Sequence, residues 1–213
     1  MTPQSANDRL VDLCQKAPVI PVLVVEDASI AAPLARALVA GGLPVLEVTL
    51  RTPAALSVIA AMAEVPGGLV GAGTVLTIDD VRNAKAAGAQ FAVSPGATPA
   101  LLEAAEAHDL PLLAGAATAS EVMHLLERGY TCAKFFPASA IGGAAALKAI
   151  AGPLPKMRFC PTGGITPATA PDYLSLKNVM CVGGSWVAPA DAVAAADWEQ
   201  IKTLARAARQ LGG

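Results

Sequence analysis

Short apolar runs rich in Val, Leu and Ile recur along the chain and alternate with Ala-rich stretches of helical period. The apolar runs predict eight strands, at 19–25, 45–51, 69–75, 91–96, 110–116, 132–138, 158–164 and 179–186. The stretches between them predict helices, among them 30–40, 53–64, 78–86, 99–107 and 120–128. This alternation is typical of parallel strands joined by crossover helices.

Start and stop signals flank several of these helices. A threonine followed by a proline predicts a capped first turn at Thr52-Pro53, Thr98-Pro99 and Thr166-Pro167. Glycines able to take the left-handed C-cap conformation are expected where helices end, at Gly41, Gly88 and Gly129.

Eight strand–helix units in one chain predict an α/β fold, the closed (β/α)8 TIM barrel, with an open doubly wound sheet as the alternative. We favour the barrel because polar or Gly-rich groups end nearly every predicted strand, and a barrel brings those ends to one pocket. One domain is expected over 1–213. An extra N-terminal helix within 1–17 could close the bottom of the barrel, and a C-terminal helix is expected within 190–213.

Composition narrows the class of protein. The chain has 54% hydrophobic but only 4% aromatic residues, and its net charge is -2 with Lys and Arg scattered singly. No basic stripe suits nucleic acid or an anionic membrane, and no apolar run reaches the roughly 20 residues of a membrane span. We therefore expect a cytoplasmic protein. Its four cysteines form no C-x-x-C pair, which predicts buried thiols and no metal site.

Lys134 is the candidate nucleophile. It lies in the apolar run CAKFFP at 132–137, where loss of hydration disfavours the ammonium form of its side chain. A neutral amine is what attack on a ketone requires. An edge-strand lysine that reaches solvent at the rim is the alternative.

The second predicted strand offers Lys134 a partner. Its period-two alternation places Glu47, Thr49 and Arg51 on one face. If that face points into the barrel, Glu47 could offset a cationic lysine and move protons, while Arg51 near the mouth could grip a carboxylate. If the strand is an amphipathic edge, the three side chains face solvent instead.

Glycine pairs end the last two predicted strands. Gly163-Gly164 lies at the end of the seventh, and Gly183-Gly184-Ser185 lies near the end of the eighth. Backbone amides in such turns often bind phosphate in barrels, although glycine can equally be required only for a tight turn. His108 and His124 fall in helical stretches and are not expected to act in catalysis.

Six strings, in order along nearly the whole chain, resemble the 2-keto-3-deoxy-6-phosphogluconate (KDPG) aldolase family, which includes 4-hydroxy-2-oxoglutarate (KHG) aldolases. They are VLEVTLRTP at 45–53, GAGTV at 71–75, FAVSPG at 91–96, KFFPA at 134–138, FCPTGGI at 159–165 and CVGGSW at 181–186. One departure is AGAAT at 114–118, where many members carry a proline before the glycine, and which could loosen the end of the fifth strand.

The resemblance implies a (β/α)8 barrel, usually a homotrimer, that uses a lysine imine with no metal or organic cofactor. By motif position, Lys134 would form the imine and Glu47 would act as general acid and base. The remaining site residues would bind substrate. Arg51 and Thr74 would hold the pyruvyl carboxylate, Gly163, Gly164, Gly184 and Ser185 the phosphate, and Pro95, Phe136 and Thr162 would line the pocket.

The expected reaction is cleavage of KDPG to pyruvate and glyceraldehyde 3-phosphate, as in the Entner–Doudoroff pathway. Alternative substrates are KHG and 2-keto-3-deoxy-6-phosphogalactonate, whose pyruvyl halves are identical. A sugar-phosphate epimerase barrel would need no covalent lysine. A non-catalytic sugar-phosphate binding barrel would need neither Lys134 nor Glu47.

Overall fold

Nine short strands lie between helices along the chain, in a computed structural model that describes residues 1–212. The strands are β1 (Val19–Leu23), β2 (Val45–Thr49), β3 (Leu69–Gly73), β4 (Phe91–Val93), β5 (Leu112–Leu113), β6 (Gly115–Ala116), β7 (Cys132–Phe135), β8 (Arg158–Pro161) and β9 (Val182–Gly184).

Ten α-helices lie before, between and after these strands in the same range of residues. They are α1 (Pro3–Cys14), α2 (Ala31–Ala40), α3 (Ala55–Ala63), α4 (Ile78–Ala86), α5 (Pro99–Ala107), α6 (Ala119–Glu127), α7 (Gly143–Ala151), α8 (Ala170–Leu174), α9 (Ala190–Ala194) and α10 (Trp198–Arg209). Short 3-10 turns lie at Ala28–Ile30, Ser139–Ile141 and Gln210–Gly212. None of the helices in the described part of the chain has the length and apolar character needed to cross a membrane.

All strand pairs are parallel, as the alternation predicted. One sheet has the order β5-β4-β3-β2-β1-β9, and a second has the order β6-β7-β8. The first strand pairs with the last, with Val19 opposite Val182. Isolated bridges also join Phe159 to Val179 and Thr162 to Gly183. The architecture is therefore an α/β fold built on a curled parallel sheet.

The prediction of eight continuous strands was wrong. The strand expected at 110–116 is interrupted at Ala114 and forms β5 and β6, within the departure noted at 114–118. Other strands end earlier than expected. The one expected at 91–96 ends at Val93, where its pairing with β5 stops at Leu113, and Pro95 beyond it has no N–H to donate to a ladder.

The helix start signals gave mixed results. Thr98 caps α5 by accepting a hydrogen bond from the Leu101 amide, with Pro99 in the first turn, as predicted. The other two starts were wrong, since α3 begins at Ala55 and α8 at Ala170. The Thr52 hydroxyl donates instead to the Val25 carbonyl, at 2.7 Å.

The predicted glycines at helix ends are correct at two positions and wrong at a third. Gly88 and Gly129 have φ values of 95° and 90°, the left-handed conformation that was predicted. Gly41 has a right-handed φ of -80°, and the next residue, Gly42, takes the positive φ of 93°. The prediction for α2 was therefore displaced by one residue.

Side chains alternate between two hydrophobic layers along β2. Leu46 and Val48 pack in the large outer layer between the strands and the helices. Val45 packs in a smaller cluster on the opposite face, which we call the inner cluster. Its buried members are Leu10, Cys14, Ile20, Val45, Phe91, Val93, Leu113, Cys132, Cys160 and Cys181.

Helix α1 closes one end of the inner cluster. It packs against β5 and β7 and contributes Leu10 and Cys14 to the cluster. The buried Asn7 side chain donates to the Gly129 carbonyl and accepts from the Thr131 amide, both at 2.9 Å. These two bonds anchor α1 to the segment that enters β7. At the other terminus, the region predicted as one helix over 190–213 forms α9 and α10, and its last residue lies outside the described residues.

Candidate active site

Lys134 and Glu47 meet on the inner face of the sheet. The Lys134 Nζ lies 3.3 Å from Glu47 Oε1, and the two side chains are 8% and 4% exposed. Lys134 is two residues beyond Cys132 on β7, and Glu47 two beyond Val45 on β2, so both point to the side of the inner cluster. The sequence predicted this inward orientation, and the alternative of a solvent-facing edge strand was wrong.

Glycines on β3 leave the space that Glu47 occupies. In the register of β2 and β3, Glu47 is opposite Gly71 and Thr49 is opposite Gly73. A Cβ at Gly73 would collide with the Glu47 carboxylate, and one at Gly71 would meet the Phe91 ring at 2.5 Å. Sequence reasoning missed this role of the GAG string. Glycines at alternate positions of a strand were the available signal, because they leave one face without side chains.

An aromatic ring also faces the amine. The Lys134 Nζ lies 5.3 Å from the centroid of the Phe136 ring, which is half-buried. A cation is attracted by the face of such a ring, and a neutral amine meets it as apolar surface. The Lys134 amine thus lies beside one carboxylate and one aromatic ring.

The other two residues of the predicted β2 face, Thr49 and Arg51, differ in burial. Thr49 is buried and donates to the Leu23 carbonyl at 2.9 Å, which ties β2 to β1. Arg51 lies two residues past the end of β2 and is exposed. Among residues 1–212 its guanidinium has no hydrogen-bond or ion-pair partner, so it is available at the rim.

Thr74 and Pro95 occupy neighbouring rim positions, directly after β3 and close after β4. Both are half-buried. Thr74 has a φ of 58°, an uncommon conformation for a residue with a branched side chain. The next amide, of Val75, donates to the Val93 carbonyl at 3.1 Å and holds this turn against β4.

Thr162 is buried with an unsatisfied hydroxyl. In the described part of the chain, its Oγ1 is the only fully buried side-chain oxygen or nitrogen that has no hydrogen-bond partner. Cys160 is opposite Lys134 in the register of β7 and β8, and Thr162 follows two residues later on the same face. A Cβ at Gly183 would collide with this hydroxyl. An unsatisfied buried hydroxyl is costly, which favours a ligand as its partner.

The loop after Thr162 has left-handed backbone at Gly163 and Gly164, with φ values of 104° and 71°. The Ser139 amide donates to the Gly163 carbonyl at 3.0 Å, which joins this loop to the segment after β7. The helix expected directly after the loop does not start at Pro167. It is the five-residue α8, which begins at Ala170, so it offers no long helix N-terminus for an anion.

Ser185 directly follows β9 and is exposed, whereas Gly184 is buried. A Cβ at Gly184 would collide with the Trp186 ring, so this position requires glycine for close packing as well as for any binding role. Sequence reasoning did not foresee this contact of Gly184 with Trp186.

Within residues 1–212, no group of three or more His, Cys, Asp or Glu side chains is placed to hold a metal ion. All four cysteines are free and buried, as predicted. His124 lies within α6, and His108 is the C-cap of α5. The chemistry of the site therefore comes from Lys134 and Glu47. They place an amine nucleophile beside a carboxylate, a pairing suited to covalent catalysis with proton transfer.

The chain is similar to several known proteins over most of its length. The family model described as KDPG and KHG aldolase matches residues 10–204. A protein of Pseudoalteromonas atlantica named 2-dehydro-3-deoxy-phosphogluconate aldolase is 54% identical over 198 residues, 92% of each chain.

Two solved structures are similar as well. The KDPG aldolase of Legionella pneumophila, with pyruvate captured as a covalent carbinolamine, has a TM-score of 0.91 and 47% identity. The match covers 93% of this chain and 97% of that one. The KDPG aldolase of Zymomonas mobilis with 3-phosphoglycerate has a TM-score of 0.90 and 52% identity, over 94% of this chain and 95% of that one.

Proposed function

Since the chain belongs to the KDPG and KHG aldolase family, as its motif strings predicted, we propose that it is a class I aldolase that cleaves KDPG to pyruvate and glyceraldehyde 3-phosphate. The proteins of this family are carbon–carbon lyases. The observation that carries the proposal is the buried pair of Lys134 and Glu47, 3.3 Å apart on the inner face. The reaction is the aldol cleavage of the Entner–Doudoroff pathway.

Imine formation uses both members of this pair. The Lys134 amine, after giving up a proton, attacks the C2 ketone of the substrate. Glu47 supplies the proton that lets the resulting carbinolamine lose water, and an iminium remains. The carbinolamine in the Legionella relative supports this route, since it joins pyruvate covalently to that enzyme.

Carbon–carbon cleavage follows from the iminium, which accepts the electron pair of the C3–C4 bond. Glu47, directly or through a water, removes the proton of the C4 hydroxyl as that bond breaks. The aldehyde leaves and an enamine stays on Lys134. Protonation at C3 and hydrolysis then release pyruvate and restore the free lysine.

The rim residues orient the two ends of the substrate. Arg51 and Thr74 bind the pyruvyl carboxylate, while Pro95 and Phe136 line the pocket around the reacting carbons. Such positioning can lower a barrier by roughly 7–11 kcal/mol. The unsatisfied Thr162 hydroxyl supports a ligand beside Gly163, Gly164, Gly184 and Ser185, to which we assign the phosphate.

Membership of the family also supports proposals about the whole molecule. We propose that the curled sheet is a (β/α)8 barrel, with β5 and β6 as one interrupted strand and the bridges at 159–179 and 162–183 joining β8 to β9. We also propose a homotrimer in the cytoplasm. Leu76 and Ile78, 57% and 52% exposed, offer apolar surface for a subunit contact. Light scattering of the protein in solution tests the trimer.

Borohydride trapping tests the proposed function. The protein incubated with pyruvate and sodium borohydride should gain one reduced pyruvate adduct, located on Lys134 by peptide mass spectrometry. Lys134→Met should give no adduct and no turnover. Lys148→Met is the matched control, since Lys148 is exposed on α7 and should leave trapping unchanged. An adduct on another lysine, or none, would contradict the proposal.

A comparison of substrates tests the assignment of the phosphate site, which would bind the end of the substrate far from the pyruvyl group. The KHG activity in the family's description is the second candidate, because the pyruvyl half of that substrate is the same. We expect kcat/KM for KDPG to exceed that for KHG. The reverse order would leave the imine mechanism in place and overturn the assignment of the phosphate site.

A further inference from the structure

A cavity of about 610 Å³ lies beside the proposed phosphate site. Its walls come from β1 and the segment after it, from Ser185 and Trp186 after β9, and from Ala188, Pro189, Ala190, Val193 and Ala194. Ser185 thus belongs both to this cavity and to the residues that we assign to the phosphate. The far end of a bound substrate would meet the cavity at Ser185.

The charges that line this cavity are all negative. Among residues 1–212, Glu26 and Asp27 are its only charged lining residues, and the others are apolar apart from Ser185. A phosphate-binding site usually includes a cationic side chain or several hydrogen-bond donors that point at the phosphate. Here two carboxylates stand in the wall that a phosphate would approach.

The backbone that carries Glu26 is held in place. The hydroxyls of Thr49 and Thr52 donate to the carbonyls of Leu23 and Val25, at 2.9 and 2.7 Å. Both bonds tie the end of β1 to the end of β2, directly before Glu26. These bonds hold the backbone next to Glu26 against the strand that carries Glu47.

The two carboxylates differ in their partners. Asp27 accepts from the Ser29 hydroxyl at 2.7 Å and from the Ser29 amide at 2.8 Å, and these bonds lower the pKa of Asp27. Its oxygens are engaged in capping the 3-10 turn. The Glu26 side chain has no hydrogen bond or ion pair to any of residues 1–212, and it is exposed. Its charge is free to act on a ligand.

We propose that Glu26 is a specificity-determining residue that weakens binding of substrates with a phosphate at the far end and leaves substrates with an uncharged hydroxyl end unaffected. This inference rests on the proposed function. A single charge some 10 Å from a phosphate dianion in a hydrated site changes affinity by roughly two- to fivefold at low ionic strength, and by less at physiological salt. The cavity wall around Glu26 would thus favour acceptors that carry no charge.

The experiment compares two substrates that differ only in the phosphate, KDPG and 2-keto-3-deoxygluconate. In Glu26→Gln, kcat/KM for KDPG should rise about two- to fivefold at low salt through a lower KM. The value for 2-keto-3-deoxygluconate should not change. Glu26→Lys should increase the preference for KDPG further, and 0.5 M salt should reduce both effects.

Glu64→Gln is the matched control. Glu64 is an exposed glutamate at the C-terminal end of α3, so this variant removes the same charge far from the cavity. Its ratio of kcat/KM values for the two substrates should equal that of the unchanged protein. An equal rise of this ratio in Glu64→Gln would mean that the effect comes from the net charge of the protein, and it would overturn the role of Glu26.

Pyruvate trapping separates the two possible failures. Pyruvate has no far end, so the borohydride adduct on Lys134 does not depend on Glu26. If the adduct forms in the Glu26 variants and their substrate ratios stay at the unchanged value, the role of Glu26 is wrong and the aldolase assignment stands. If no adduct forms in the unchanged protein, the proposed function itself fails.

Discussion

At the scale of single residues, Lys134 and Glu47 are the two charged side chains buried in the described part of the chain. Taking a pair of charges out of water costs free energy that their attraction often fails to recover. The inner cluster next to them is built from aliphatic, aromatic and thiol groups, which would pack without such a cost. A buried ion pair in this place therefore indicates chemistry more than stability.

Thr162→Val separates binding from stability at the hydroxyl that has no partner. Valine has nearly the same shape, and removal of an unsatisfied buried hydroxyl relieves a penalty of about 1–3 kcal/mol. We expect the free energy of unfolding, from urea titration, to stay equal or rise. If the hydroxyl bonds to substrate, KM should increase roughly two- to tenfold, the effect of one hydrogen bond.

The opposite pattern would contradict this interpretation. A variant that loses stability with an unchanged KM would mean that Thr162 has a structural partner in solution and does not contact the substrate. Thr49→Val serves as the comparison, because the Thr49 hydroxyl is bonded to the Leu23 carbonyl at 2.9 Å and its loss should cost stability.

At the scale of elements, the close approach of β3 to β2 determines where Glu47 can lie. In Gly73→Ala, the new Cβ would collide with the Glu47 carboxylate and displace it from Lys134. We expect kcat to fall about a hundredfold or more, the usual effect of losing a general acid–base. Overpacking should also lower the free energy of unfolding by about 1–3 kcal/mol.

A second glycine variant controls for the change of residue type. Gly152 lies at the end of α7 with a φ of -63°, and the nearest atom to an added Cβ is 3.8 Å away. Gly152→Ala should keep kcat and stability close to the unchanged values. If Gly73→Ala also kept its kcat, Glu47 would not need its observed position for catalysis.

The alternation of apolar and polar positions was sufficient to locate most elements. The central strands and α5 appear where it predicted them, because period and capping are local properties of the chain. Strand ends were less predictable, since they depend on where the neighbouring strand stops pairing, as at Val93 opposite Leu113. Helix α7 carried no start signal. It begins after Gly142, which has a φ of 105° and no side chain to cap the helix.

The site was predictable to a similar depth. Lys134 and Glu47 could be identified because an ionisable residue in an apolar strand is rare and alternation gives its face. The roles of Gly73 and Gly183 could not, since each depends on which residue of a neighbouring strand comes opposite. Among the residues beyond the strand ends, alternation pointed to Arg51, whereas only the family strings pointed to Thr74 and Pro95.

At the scale of the whole molecule, the inner cluster should protect the cysteine thiols. Burial raises the pKa of Cys132 to about 11, and thiol–thiol contacts with Cys14 and Cys160, together with burial, raise that of Cys181. A disulfide reagent at pH 8 should react slowly with the native protein. In denaturant the same reagent should react quickly with all four thiols. Fast reaction of the native protein would contradict the buried inner cluster.

The same shift gives a pH dependence of stability. Between pH values of about 9 and 11, the thiol of Cys132 loses its proton in the unfolded chain but keeps it in the folded one. The free energy of unfolding should therefore decrease as pH rises through this range. Urea midpoints at pH 8 and 10.5 measure the decrease, and Cys132→Ala should show a smaller one.

Helix α1 has a consequence for how the chain is made. Asn7 bonds to Gly129 and Thr131, more than 120 residues further along. During synthesis the first helix therefore leaves the ribosome long before the groups that hold it exist. Until β7 has emerged, Leu10 and Cys14 have no complete surface to cover, and the base of the sheet stays open. A ribosome stalled before residue 129 would carry a chain whose first helix lacks both Asn7 bonds and its contact with β7.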